Sequence, residues 1–236
     1  MVLSGTIVNA VLIIIGSLIG RLLSGIPETM KNTIMNGIGI AVVVLGIQMG
    51  LQSDNFLIVI ISIVAGAVIG ELFRLEDKLN QAGIWIENKV GGRGKGNIAE
   101  SFVTATLIFC IGAMAVVGAL DSGIRGDHQV LYTKAIIDGF TAILLTSTLG
   151  LGVIFSSVPV FLYQGLIALF AQQIYRLIPP VLMDRFILEL MATGGIMIIA
   201  IGLNIIGLTK IKAANLLPGL LVTAFIVPVL YYFHVF

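Results

Sequence analysis

Gly139 to Tyr175 is a run of 37 residues without one charged side chain. As a single straight helix it would be about 55 Å long at 1.5 Å per residue, against a hydrocarbon core of about 30 Å. The run therefore predicts two crossings. The expected break is Ser156-Ser157-Val158-Pro159, where hydroxyls can cap a helix and proline suits its first turn. Other charge-free runs of crossing length are Met1–Gly20, Asn32–Ser53, Ser101–Leu120, Leu190–Thr209 and Ala213–Phe236. Asn55–Gly70 reaches the same length when it extends through Glu71 to Phe73. Eight helices result. The fold expected is an all-α, polytopic membrane helix bundle.

Composition excludes the alternatives. Only 11% of residues are charged and 58% are hydrophobic, whereas soluble domains carry about 25% charged residues. A soluble enzyme is excluded, and a net charge of +1 gives no basic field for nucleic acid. The first charged side chain is Arg21, so the N-terminus lacks the basic start of a secretory signal and reads as a permanent first helix. Eight crossings put nine Lys and Arg in the loops after odd-numbered helices and four after even-numbered ones. The richer side is expected to be cytoplasmic, with the N-terminus outside. One crossing fewer changes only the side of the C-terminus.

Glu71 to Glu100 holds 10 of the 25 charges. Leu75, Leu79, Ala82, Ile86 and Val90 recur at helical spacing beside Trp85, which suits a helix lying on the membrane surface. Gly91-Gly92-Arg93-Gly94-Lys95-Gly96 follows. It lacks the Lys-Ser/Thr ending and preceding strand of a phosphate loop, and reads as a basic linker.

Three segments align without a gap: Gly39 to Gln48, Gly112 to Asp121 and Gly195 to Asn204. Each has a glycine, six residues, a small residue, an aliphatic one and a carbonyl-bearing side chain. Around the outer two copies, Asn9 corresponds to Gln164 and Arg21 to Arg176. The expected organisation is one transmembrane domain, 1–236. Within it, 1–75 and 157–236 are two three-helix repeats, 74–100 is the cytoplasmic segment and 101–156 a central hairpin. With eight crossings the second helix and the Leu190 helix run in opposite directions, an inverted repeat of the transporter kind. The alternative is that glycine-rich apolar helices resemble one another by composition. Small residues at Gly16/Gly20, Gly46/Gly50 and Ser62/Gly66/Gly70 suit close helix packing.

Ionisable groups in such a chain need a reason, because one at mid-membrane costs about 3 kcal/mol on insertion scales. Asp138 is the strongest candidate for an ion or proton site, read as lying at a helix start with Thr141, Thr146, Ser147 and Thr148 beyond it. A helix-terminal carboxylate at interfacial water is the plainer alternative. Asp121 opens Asp121-Ser122-Gly123-Ile124-Arg125-Gly126-Asp127-His128, an entrance for an ion or a solvated turn with a local ion pair. Glu71 faces a cavity or pairs with Arg74. Gln48 and Asn204 occupy matched repeat positions and suggest an amide pair, or ordinary interhelical hydrogen bonds. Gln164, Asn9, Glu189, Gln172 and Gln173 are weaker signals, and Pro218 and Pro228 suggest a kinked last helix.

Cys110 is the single cysteine, and His128 and His234 share no ligand spacing. No metal site, cofactor or catalytic motif is expected, and an enzyme is not. The full-length pattern resembles the YqgA/YdfK family of bacterial inner-membrane proteins, defined by a domain of unknown function. The residues that carry the likeness are Gly5-Thr6-Ile7-Val8-Asn9, Gly112 to Gly118, Lys134-Ala-Ile-Ile-Asp138-Gly139, Gly150-Leu-Gly152-Val153 and Tyr163-Gln164-Gly165. The resemblance implies a multi-pass protein of the bacterial cytoplasmic membrane and brings no substrate.

The function expected is a small secondary transporter or channel for an ion or small polar solute. Its repeats would rock about a site lined by Gln48, Asp121, Asp138 and Asn204, with Glu71, Gln164 and Asn9 along the pathway. The alternative is a non-transporting scaffold or regulator whose 74–95 segment binds anionic lipid or a partner protein. The partners expected are the lipid bilayer and the transported solute. The oligomeric state stays open, a homo-oligomer included.

Overall fold

Apolar side chains on this protein turn outward. In α1 (Ser4–Leu22) the buried face is Gly5, Thr6, Asn9, Ile13, Gly16, Ser17 and Gly20, while Ile7, Val11, Ile14, Ile15, Leu18 and Ile19 are exposed. Small and polar residues at three- and four-residue spacing face protein, and large aliphatics face the surroundings. That inversion is what lipid selects, because hydrocarbon solvates leucine as well as a protein core does and leaves close packing to small residues.

The computed structural model describes residues 1–23, 27–90, 98–111, 113–177 and 180–233. Among them there is no strand. After α1 come α2 (Glu28–Gly50), α3 (Phe56–Phe73), α4 (Leu75–Val90), α5 (Ile98–Cys110), α6 (Ala113–Ile124), α7 (Gln129–Leu149), α8 (Ser157–Leu177), α9 (Pro180–Ile205) and α10 (Pro218–Tyr232), with single 3-10 turns at Leu151–Ser156 and Ala213–Leu216. Seven stretches are long and apolar enough to cross a membrane, or eight if α5 and α6 together make one span. Those two helices are bent by 58°, where one continuous Ser101–Leu120 crossing was expected. The charge-free run from Gly139 does divide, at Gly150, with α8 starting at Ser157. Gly91–Gly96, and Gly112 at the head of one repeat copy, lie outside the described residues.

The helices sort into two compact units that interleave in sequence. Unit 1 is Met1–Met35, Lys78–Cys110 and Met114–Gln173; unit 2 is Asn36–Asp77, Ile111–Ala113 and Ile174–Phe236.

In unit 1, α1 and α7 lie side by side in the same direction. Gly16 abuts the backbone of Gly139, and Gly20 that of Ile143, four residues on in both chains. In unit 2, α2 and α9 run oppositely. A Cβ on Gly46 would stand 2.7 Å from the carbonyl oxygen of Gly195, and one on Gly195 2.7 Å from that of Gly46. Gly39 and Gly202 face each other in the same reciprocal way, at 3.0 and 2.8 Å. Helix α3 packs against α10, again antiparallel, with Gly66 on Gly219 and Gly70 on Asn215.

Candidate functional site

Helix α7 begins nine residues before Asp138, so this carboxylate is the tenth of 21 helical residues and not a helix-terminal group. Helical spacing puts Lys134 one turn earlier on the same face. The two form an ion pair whose side chains are 8% and 7% exposed. The charge count by loops takes in Lys134, which lies inside α7. A lysine and an aspartate one turn apart cancel formally, which admits both to the interior, although their desolvation is offset only by good geometry and further hydrogen bonds.

Support for the pair comes from α1, which α8 in turn holds through Gln164. Contact between Leu12 and Gly139 brings α1 close enough for the Asn9 amide to reach the Asp138 carboxylate. Asn9 Nδ2 also donates to Gln164 Oε1 of α8 at 3.1 Å. Asn9 and Gln164 are both fully buried. Cys110, at the end of α5, lies within electrostatic reach of Lys134 and Asp138. Asn9 Oδ1, Gln164 Nε2 and Thr6 Oγ1 are buried without a hydrogen-bond partner. Buried polar atoms nearly always find partners. The two unmet amide atoms, linked to the ion pair through Asn9, give this centre spare capacity for a proton, an ion or a small polar group.

The threonines and serine farther along α7 do not join it. Thr141, Ser147 and Thr148 hydrogen-bond back to carbonyls of their own helix, and Thr146 Oγ1 is buried without a partner.

Asp121 belongs to a separate feature of unit 1. It pairs with Arg125 at 3.8 Å, the local ion pair expected, but from the last turn of helix α6 and not from a solvated turn. Next to it the Ser122 hydroxyl donates to the Val2 carbonyl at 2.8 Å. His128 Nδ1 stands 2.6 Å from the same hydroxyl.

Unit 2 holds Gln48 and Asn204, and the two do not meet. Antiparallel packing sets Gly46 against Gly195 and Gly39 against Gly202, so residues two positions beyond each glycine fall at opposite ends of the helix pair. Gln48 is exposed. Asn204 organises the turn after α9, donating to the Ile211 carbonyl at 2.7 Å and accepting from Thr209 Oγ1 and the Ile211 N–H. The four-residue site Gln48, Asp121, Asp138 and Asn204 is thus not assembled within either unit.

Glu71 accepts from Lys212 Nζ at 2.8 Å and from Asn215 Nδ2, not from Arg74 at i+3. The helix stops at Phe73, and Arg74 takes the left-handed conformation, which removes it from the helical face. Close by, Glu76 Oε2 accepts from the Ala214 N–H at 2.9 Å, while its own N–H donates to Asn215 Oδ1 at 2.8 Å. Burial pushes the Glu76 carboxyl above its ordinary value. The Glu71 hydrogen bond holds Lys212 above its own.

Glu189 carried little weight in the sequence, yet it is 2% exposed in α9. Its Oε2 accepts from Ser53 Oγ at 2.6 Å and its Oε1 from the Asn55 N–H at 2.9 Å. A glutamate among aliphatic residues was the available signal; its partners, more than 130 residues away, were not legible.

Among the described residues no group of three or more His, Cys, Asp or Glu could hold a metal ion. The model for a protein family of unknown function, DUF554, matches residues 4–228. The chain belongs to the DUF554 family. It is 36% identical over 234 residues to the uncharacterized membrane protein YdfK of Bacillus subtilis (strain 168), covering 97% of each chain. It is 31% identical over 222 residues to the uncharacterized protein YqgA of Escherichia coli (strain K12), covering 92% of this chain and 93% of that one. No solved structure matches. For a DUF554 member, these relatives and the outward-facing apolar helices agree on a multi-pass membrane protein.

Proposed function

We propose that this DUF554 protein is a small secondary transporter for an ion or small polar solute across the bacterial cytoplasmic membrane, with Lys134 and Asp138 as its charge-carrying element. One observation carries the reading: a mid-helix ion pair is buried in an apolar chain beside buried amide atoms with no partner. A purely structural pair of this kind is expensive, since apolar residues of like volume serve stability as well or better. Ionisable groups in that position are by default functional. Protonation of Asp138, or a cation beside it, would release Lys134 and supply the coupling.

Two further features favour the transporter reading. The glycines aligned between the Gly39 and Gly195 segments face one another reciprocally in antiparallel helices. Asn9 and Gln164, matched by the same alignment, hydrogen-bond to each other. Both are what a duplicated, inverted unit would produce. The excess of basic residues after odd-numbered helices, nine against four, favours an outside N-terminus.

The test is flux in proteoliposomes over a panel of cations and amino acids. Asp138→Asn and Lys134→Gln are each expected to abolish it; unchanged flux in both would overturn the reading. A second reading, a membrane-surface scaffold, is favoured by Ile84 and Trp85 of α4, which are 51% and 63% exposed. It requires Trp85→Ala, and not the Asp138 variant, to abolish the phenotype.

A further inference from the structure

A cleft of about 490 Å³ opens in unit 2 between the α2–α3 turn, the first half of α9 and the end of α10, lined by Asp54, Asn55, Ile58, Arg185, Glu189 and Val227. Its volume is in the range of small-molecule sites and far above that of a bare ion. The lining combines two carboxylates, a guanidinium and an apolar wall. Ile58 and Val227 are 2% and 1% exposed and pack with Leu182 and Phe186 in one core cluster, so that wall is fixed.

Glu189 is fixed as well. Both of its oxygens are engaged, by the Ser53 hydroxyl and the Asn55 N–H, and Ser53 Oγ in turn accepts from Asn55 N–H at 3.1 Å. Each carboxylate oxygen keeps a further lone pair. The same helix carries Arg185 one turn earlier, and Asp54 stands in the turn between the two residues that hold Glu189.

We infer that this cleft is a binding site for a small zwitterion of amino-acid size, its ammonium group taken by Asp54 and Glu189 and its carboxylate by Arg185. Two acids against one base favour the cationic end, and the presence of both signs selects a ligand carrying both. Glu189 and the apolar wall are held before the ligand arrives, which limits the ordering cost of binding. The inference concerns binding alone and does not rest on the transport reading.

The experiment uses the full chain in nanodiscs, with thermal unfolding and calorimetric titration against L-alanine, L-lysine, putrescine, sodium acetate and sodium chloride at matched ionic strength. Saturable stabilisation by the two amino acids, and by neither salt, is expected. Asp54→Asn should weaken amino-acid binding by about tenfold, the worth of ~1.4 kcal/mol. Arg185→Gln should weaken it similarly while leaving any binding of putrescine, which has no carboxylate, in place. Glu189→Gln is expected to abolish binding but also touches the turn, so the decision rests on the two exposed residues. No stabilisation by either amino acid beyond sodium chloride, wild-type binding of putrescine alone, or amino-acid affinity unchanged from wild type in either Asp54→Asn or Arg185→Gln would each overturn the assignment.

Discussion

Asn9 of α1 donates its side-chain amide to Gln164 of α8, 155 residues away in the sequence, and the same amide reaches Asp138 of α7. Three helices of unit 1 thereby share one buried polar centre. Interhelical hydrogen bonds of this kind are worth about 0.6 kcal/mol on average in membranes and up to ~1.7. Asn9→Leu removes the bond to Gln164 and strands that amide, so a loss of about 1–3 kcal/mol is expected. Chemical unfolding in mild detergent measures it. A loss below the experimental error would show that the centre is already wet.

Removing either member of the Lys134–Asp138 pair should cost about 3–5 kcal/mol, because the partner is left charged and buried. Lys134→Met with Asp138→Leu should recover most of that loss, since an apolar pair needs no solvation. The cycle of single and double variants isolates the coupling. Additive effects would mean that the two groups are independently hydrated. Recovered stability without recovered flux would separate folding from transport.

Gly70 and Gly37 predict opposite outcomes for the same change. A Cβ on Gly70 would collide with the Asn215 backbone, whereas one on Gly37 meets nothing within 4 Å. Gly70→Ala should destabilise by about 1–3 kcal/mol or more through forced separation of α3 from the Ala213–Leu216 turn. Gly37→Ala should stabilise by about 0.5–1 kcal/mol through helix propensity. Melting temperatures of the two variants, measured side by side, check the pair.

Glu76 is held above its ordinary carboxylate value, chiefly by burial. Its ionised form is therefore relatively disfavoured in the folded state. The stability this group contributes is fully present below the unfolded value of 4.5 and is lost as pH rises through the folded value. Glu76→Gln keeps an acceptor for the Ala214 N–H and removes the charge. The variant should lack that decline and be as stable as the parent, or more so, at neutral pH. Thermal melts from pH 4 to 8 measure the difference, and parallel profiles would refute it.

The antiparallel run of α2 and α9 demands an even number of crossings between them, and an eight-span chain provides four: α3, α5 with α6, α7 and α8. A reporter fused after Phe236 should then lie on the same side of the membrane as one fused before Met1. Opposite sides would leave seven crossings, with α5 and α6 forming a re-entrant segment instead of a span.

The spans were legible because hydrophobic length and glycine spacing are local properties. A 37-residue charge-free run must fold back, and it does so between Gly150 and Ser157. Gly16/Gly20 and Ser62/Gly66/Gly70 announced the faces on which helices meet, because only small residues let backbones approach. Counting charges one by one misplaced Lys134, whose cost is removed by a partner four residues on. It also set Asp138 at a helix end when it is in the middle of one.

What the sequence by itself determined is therefore the class of molecule, the number of crossings to within one and the faces that must be covered. Each follows from how a segment of chain partitions between water and hydrocarbon. Which face covers which was decided by the tertiary structure alone. Gly46 opposes Gly195, Asn9 finds Gln164, and Glu189 closes on Ser53 and Asn55. These pairs lie more than 100 residues apart, where side-chain identity gives no distance and only packing selects the partner.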